Sequence, residues 1–187
     1  MSNELNGKRI AFLVANVGVE QVELTSPWSA VEAAGGRPVL VAPEKGTVQA
    51  VKGDVDKGDT FDADEAVGSA SAADFDALVL PGGVANPDKL RMDADAMAFV
   101  KDFVDAGKPI AAICHAPWSL VEAGVLAGKT LTSWPSLQTD IRNAGGEWRD
   151  EQSITCRERG FTLVTSRNPD DLDAFNGALL DAFAAAG

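Results

Sequence analysis

The sequence predicts an α/β domain built on a mostly parallel sheet with helices on both faces, and three observations carry that reading. Four short runs, Arg9–Ala15, Pro38–Ala42, Ala77–Leu80 and Pro109–Ile113, are almost wholly apolar and do not alternate. Runs of that texture suit strands covered on both faces. Helical patterns lie between them, so strand and helix alternate at the intervals of right-handed crossovers. The 187 residues contain no repeat, linker or low-complexity stretch, which leaves one domain over 1–187.

Taken in order, the strand at Arg9–Ala15 leads to a helix over Val22–Ala34, which stops at Gly35-Gly36, where glycine readily caps a helix in the left-handed conformation. Pro38–Ala42 forms the second strand. Residues 44–65, rich in Gly, Asp, Thr and Val, read as a small antiparallel excursion at a sheet edge. After the strand Ala77–Leu80, a helix spans Asp93–Ala106, with Met97, Phe99, Val100, Phe103 and Val104 close to helical spacing, and stops at Gly107. The strand Pro109–Ile113 ends at Cys114, and a helix should start by Pro117-Trp118. Ser153–Arg157 and Phe161–Thr165 flank Glu158-Arg159-Gly160, a hairpin signal. The final helix begins near Asn168-Pro169-Asp170, with Asn168 as cap and Pro169 at the first helical position.

Composition narrows the function classes. The chain is 45% hydrophobic and 24% charged, as an ordinary globular protein is. A formal net charge of −12 argues against nucleic-acid and anionic-membrane partners, which would require a basic face. Met1 to Arg9 is polar, so no secretory signal is expected, and no apolar run approaches the ~20 residues of a spanning helix. Two cysteines, Cys114 and Cys156, build no disulfide framework, and one histidine with two distant cysteines gives no zinc spacing. The expectation is therefore a cytoplasmic protein without metal or cofactor.

Chemistry concentrates at Cys114. It ends a buried strand, and ligands of open parallel sheets bind beyond the carboxyl ends of the strands. A buried cysteine can be merely a small hydrophobe. Here, however, the chain's one histidine, His115, is its neighbour, and a Cys–His pair is a nucleophile signature. The abrupt strand-to-helix turn also resembles a nucleophile elbow, and the positive end of the following helix favours a thiolate. A thiol titrating below the free value of about 8.5 is the expectation. Glu20 and Glu23, three apart at a helix start, share a face; they suit the helix dipole, and either could reach Cys114. Gly82-Gly83 at a strand end is either a simple turn or a pair of amides aimed at an oxyanion. Cys156, on a hairpin strand, reads as structural.

Several segments together resemble the ThiJ/PfpI superfamily, specifically its PfpI-type intracellular protease branch, over essentially the full length. They are Val19-Glu20-Gln21-Val22-Glu23-Leu24 with Pro27, Phe75 through Gly83, Gly107-Lys108-Pro109 through Pro117, Leu131-Thr132-Ser133-Trp134-Pro135, Asn143-Ala144-Gly145-Gly146-Glu147-Trp148, and Val164-Thr165-Ser166-Arg167 with Pro169-Asp170-Asp171-Leu172. The resemblance implies a flavodoxin-like three-layer sandwich with Cys114 on a strained elbow. It implies Glu23 as the protonated partner of the cysteine, Glu20 as a second active-site acid, and Gly82 and Gly83 as the oxyanion-hole segment. In that branch the histidine is oriented by an acid of a neighbouring subunit, and Asp88 falls nearest that position, so a homodimer or larger assembly is expected. Ala116 stands where the family usually has glycine. Trp134 stands where many members have tyrosine, and with no tyrosine in the chain a tyrosine-assisted mechanism is excluded.

Three readings of function follow. The chain is a cysteine hydrolase or glyoxalase/deglycase-like enzyme acting on a peptide bond or a small aldehyde, with Cys114 as nucleophile, or a stress protein that senses peroxide by oxidation of Cys114, or a chaperone-like binding module.

Overall fold

The computed structural model describes residues 4–186; the first three residues of the polar start, and residue 187, lie outside the described residues. β1 (Arg9–Leu13) is followed by β2 (Val17–Glu20) and α1 (Gln21–Ala33). β3 (Arg37–Ala42), β4 (Thr47–Lys52), β5 (Asp56–Asp62) and the short β6 (Glu65–Ala66) come next. The middle of the chain holds β7 (Ala77–Leu80), α2 (Ala85–Leu90), α3 (Ala94–Asp105), β8 (Ile110–Ile113) and α4 (Pro117–Glu122). The remainder is β9 (Thr130–Leu131), α5 (Gln138–Asn143), β10 (Glu147–Trp148), β11 (Ser153–Cys156), β12 (Leu163–Ser166) and α6 (Leu172–Ala185).

The main sheet has the order β11-β12-β8-β7-β1-β3-β6, and every pairing in it is parallel except β11 with β12. Period-two alternation along the apolar strands sorts their side chains into two cores. Ala11, Leu13, Leu78, Leu80, Ile110 and Ala112 meet Phe99 and Phe103 of α3 on one face. Ile10, Phe12, Ala77, Val79, Ala111 and Ile113 meet Leu24 and Val31 of α1 and Phe175, Leu179 and Phe183 of α6 on the other. With both faces covered, the strands need no polar side, which explains their unalternating sequences. The architecture is the three-layer, flavodoxin-like α/β sandwich that the sequence predicts. Among the described residues no helix is long and apolar enough to cross a membrane.

Two expectations are corrected. The segment 44–65 is only partly an edge feature: β6 pairs with β3, but β4 and β5 join β2 in a separate three-stranded sheet. Asn16 holds this second sheet in place, its amide nitrogen donating to Glu44 O at 2.8 Å and its oxygen accepting from Glu44 N at 3.0 Å. The turn between β4 and β5 is thereby carried over the carboxyl ends of the main strands. At the last helix, Asn168 caps a single 3-10 turn, Pro169–Asp171, by accepting from Asp170 N at 2.9 Å, and α6 starts only at Leu172.

Candidate active site

β8 ends at Ile113, and Cys114 adopts φ 62°, in the left-handed region. That conformation costs a non-glycine residue roughly 1–2 kcal/mol and must be enforced by its surroundings. Three hydrogen bonds enforce it. Cys114 N donates to Ser166 O of β12 at 3.0 Å, Trp134 N donates to Cys114 O at 2.9 Å, and Ala116 N closes the turn on Ile113 O at 3.0 Å. Pro117 then opens α4 at a position where its missing N–H costs nothing.

The elbow brings Cys114 Sγ to 3.1 Å from His115 Nδ1. Sequence neighbours seldom face each other, and here the left-handed turn makes them do so. His115 is buried between two indoles, with ring centroids 5.2 Å from Trp118 and 5.7 Å, near-parallel, from Trp134. Burial lowers its pKa from the usual histidine value, Asp54 partly opposing, so the imidazole is neutral at neutral pH. Among the described residues, His115 Nε2 has no hydrogen-bond partner in the chain.

Glu23 projects from the first turn of α1 and is fully buried. Neither carboxyl oxygen meets a partner at hydrogen-bonding geometry. Burial, and secondarily the nearby Glu20, pushes its pKa up to about 8, although Cys114 and the Gly82 amide are near enough to pull the other way. Glu23 therefore keeps its proton at neutral pH. Gly82 makes room for this arrangement, because a Cβ there would strike Glu23 Oε2 and lie 2.8 Å from Cys114 Cβ. Gly83, at φ 86°, brings its backbone against Gly18 O and Glu20 N and turns its amide toward the Cys114 sulfur.

The expectation of a lowered Cys114 pKa is not what the folded site gives. Burial first, and the charge of an ionised Glu23 second, push the thiol up, and the amides of Gly83 and His115 only partly counter them. Sequence shows the helix start that favours a thiolate; it does not show how completely the sulfur is enclosed. The helix is also short, at six residues.

Glu20 ends β2 beside the site, and its carboxylate grips the β4–β5 turn, accepting from Gly53 N at 3.2 Å and Asp54 N at 3.1 Å. Asp54, left-handed at φ 65°, accepts in turn from Val84 N at 2.8 Å, next to the Gly82-Gly83 pair. These contacts roof a cleft of about 480 Å³ whose walls include Glu20, Glu23, Asp54, Cys114, Trp134 and Pro169. Another cavity of about 320 Å³, lined by Trp28 and Phe61 among others, shares no wall with it and has no cysteine or histidine in its lining.

The structure thus gathers Cys114, His115, Glu20, Glu23, Gly82, Gly83 and Trp134 at one place. Asp88 is not among them within one chain. It lies exposed on α2, paired with Arg91 at 2.5 Å, and the Arg91 guanidinium lies 4.9 Å over the Trp118 ring. Cys156 is buried in β11, where its sulfur accepts from Thr130 N at 3.4 Å. Two site residues escape the sequence reading. Asp54 was signalled by the Gly-Asp dipeptide, a hairpin turn between two strand-like runs. Asn86 had no such signal; it is buried and ties Ala15 N (2.6 Å) to Pro81 O (2.8 Å) beneath the glycine pair. Among the described residues, no group of three or more His, Cys, Asp or Glu side chains could hold a metal ion.

The model of the DJ-1/PfpI family matches residues 8–182. Protein/nucleic acid deglycase 2 of Escherichia coli (strain K12) is 39% identical over 170 residues, covering 90% of this chain and 94% of the relative. YraA of Bacillus subtilis (strain 168), named as a candidate cysteine protease, is 41% identical over 169 residues, covering 90% and 94%. Among solved structures, a two-domain protein of Anabaena variabilis with DJ-1/ThiJ/PfpI-like and ferritin-like domains superposes with a TM-score of 0.84 at 32% identity. The match covers 96% of this chain and 49% of that one, so the chain spans about half of the two-domain protein.

Proposed function

This chain belongs to the DJ-1/PfpI family, and from that premise we propose that it is a cysteine enzyme acting on small carbonyl compounds, aldehydes above all, with Cys114 as nucleophile. The observation that carries the reading is the 3.1 Å contact of Cys114 Sγ with His115 Nδ1 on a left-handed elbow that opens into a cleft. At neutral pH the thiol, the imidazole and the Glu23 carboxyl all start uncharged. Attack then needs no preformed thiolate. The sulfur bonds to the carbonyl carbon, the π pair moves to oxygen, and the thiol proton passes to His115 Nδ1 and on to that oxygen. An aldehyde yields a hemithioacetal. An activated ester yields a thioester, with the proton leaving on the alcohol, and water then cleaves the thioester. In this reading the Glu23 carboxyl and the amides of Gly82 and Gly83 donate to the developing oxyanion.

The relatives' names include both deglycase and protease, so pocket size must choose. About 480 Å³ suits a small ligand, and a peptide bond within a folded chain would require an extended groove. Trp134 stands at the mouth. Ala116, where the family usually has glycine, does not narrow the cleft: its methyl packs into the core with Leu120 and lines no part of the cleft wall. The specificity constant for methylglyoxal or a small ester is expected to exceed that for a fluorogenic peptide by at least about tenfold, or ~1.4 kcal/mol. A peptide that wins in steady-state kinetics overturns the small-pocket reading.

We extend the proposal to a homodimer or larger closed assembly in which Asp88 of a second copy orients His115. The unpartnered Nε2 and the exposed position of Asp88 support it. Light scattering at micromolar concentration is expected to show the oligomer, and Asp88→Asn to lower turnover roughly tenfold. A fully active monomer would overturn this extension.

A further inference from the structure

The cleft is one-sided in charge. Glu20 and Asp54 stand at its wall, and among the described residues no lysine or arginine lines it. Cations around the cleft are otherwise placed. Arg91, over the ring of Trp118, is paired with Asp88. Arg167, two residues before Pro169, is engaged by Asp171 and Asp150, each at 2.8 Å. Lys52 and Lys57, which flank the β4–β5 turn, are exposed outside the lining. A second, independent feature points to a ligand: the Glu23 carboxyl is fully buried at the cleft wall with both oxygens unpartnered. A buried polar group in that state calls for a partner, and a substrate N–H or O–H would supply one.

We propose that the cleft selects its substrate by charge, admitting neutral and cationic carbonyl compounds, such as those bearing an ammonium or guanidinium group, and rejecting those bearing a carboxylate or phosphate, with Asp54 as the specificity-determining residue. The proposal rests on Cys114 being the attacking group, as read above. An anion at Cys114 meets two carboxylates with no compensating base, and a cleft with low-dielectric walls focuses such fields. A cation meets Asp54 together with the ring of Trp134, which is 40% exposed at the mouth. Asp54 is itself exposed, so the selection weakens with salt.

The test compares alkylation of Cys114 by neutral iodoacetamide and anionic iodoacetate. In each case the C–S bond forms, iodide leaves, and the thiol proton passes to His115 or solvent. Peptide mass spectrometry reads Cys114 apart from Cys156, and the urea-unfolded protein gives the intrinsic ratio of the two reagents. The native preference for iodoacetamide is expected to exceed that ratio by at least about tenfold. Asp54→Asn keeps the carbonyl that accepts from Val84 N and tolerates the left-handed backbone, and it is expected to remove at least half of the excess. High salt on the wild-type protein is expected to do the same, and this arm needs no variant to fold. The proposal is overturned by equal ratios in native and unfolded protein, by an excess that neither Asp54→Asn nor salt reduces, or by no native alkylation with either reagent. Alkylation does not depend on aldehyde turnover. Charge selection without aldehyde activity would therefore sink the proposed function and leave this inference standing, and aldehyde turnover without charge selection would do the reverse.

Discussion

Cys114→Ala is expected to retain less than about a thousandth of wild-type turnover on methylglyoxal and small esters, because removing a covalent nucleophile removes the reaction path itself. Folding should survive. Alanine carries the same left-handed penalty as cysteine, so the elbow is no more strained than before. The loss is one buried sulfur, about 1 kcal/mol, or roughly 2–4 °C in Tm for a chain of this size. Cys114→Ser would keep a group able to face His115 Nδ1 and is expected to show only trace activity, since a hydroxyl is a far poorer nucleophile. Steady-state kinetics beside a thermal melt separates the effects. More than a tenth of wild-type activity in a folded Cys114→Ala protein would remove Cys114 from the chemistry.

Glu23 carries the second large expectation, and it is one of stability against pH. Its carboxyl is raised to about 8 in the folded chain from the ordinary 4.5, chiefly by burial. Between these values the native state holds a proton that the unfolded chain has released. Native protein therefore binds more protons than unfolded protein, and stability falls as pH rises through this window. The loss approaches about 1.4 kcal/mol per pH unit at its steepest and ends above the folded value. Glu23→Gln keeps the shape and cannot ionise, so its stability profile is expected to lack this slope. Other acids contribute equally to both proteins and cancel in the difference. Urea unfolding at several pH values between 4.5 and 8 gives the comparison, and parallel profiles for the two proteins would show that Glu23 is not held protonated.

The readability of this molecule in its sequence follows burial and distance. Strands covered on both faces carry unmistakable apolar runs, so β1, β3, β7 and β8 were legible along with the sheet they imply. Cys114 and His115 stood out because they are adjacent. α2 and α5, at six residues each, are too short for a helical period to show, and α4, of the same length, is marked only by its start at Pro117-Trp118. The roof was hidden for another reason: Glu20 meets Asp54 across 34 residues and Asp54 meets Val84 across 30, and nothing in the local sequence marks either contact. Glu20 was legible as an acid near the site. That its carboxylate serves the backbone of a distant turn was not.

The hydrogen bonds around Cys114 also decide where this protein can move. Its amide is bound to β12 and its carbonyl to the segment leading into α5, so the residue is pinned by two separate parts of the chain. Breaking either bond exposes a buried polar group, and the opening of this position is therefore tied to unfolding of the sheet rather than to loop fluctuation. Reactive residues are often carried on mobile loops; this one is bonded as a residue of a core strand is. Access to the sulfur is through the cleft roofed by the β4–β5 turn, which is held to the body of the protein by exposed hydrogen bonds from Gly53 N, Asp54 N and Val84 N, while the nucleophile itself stays still.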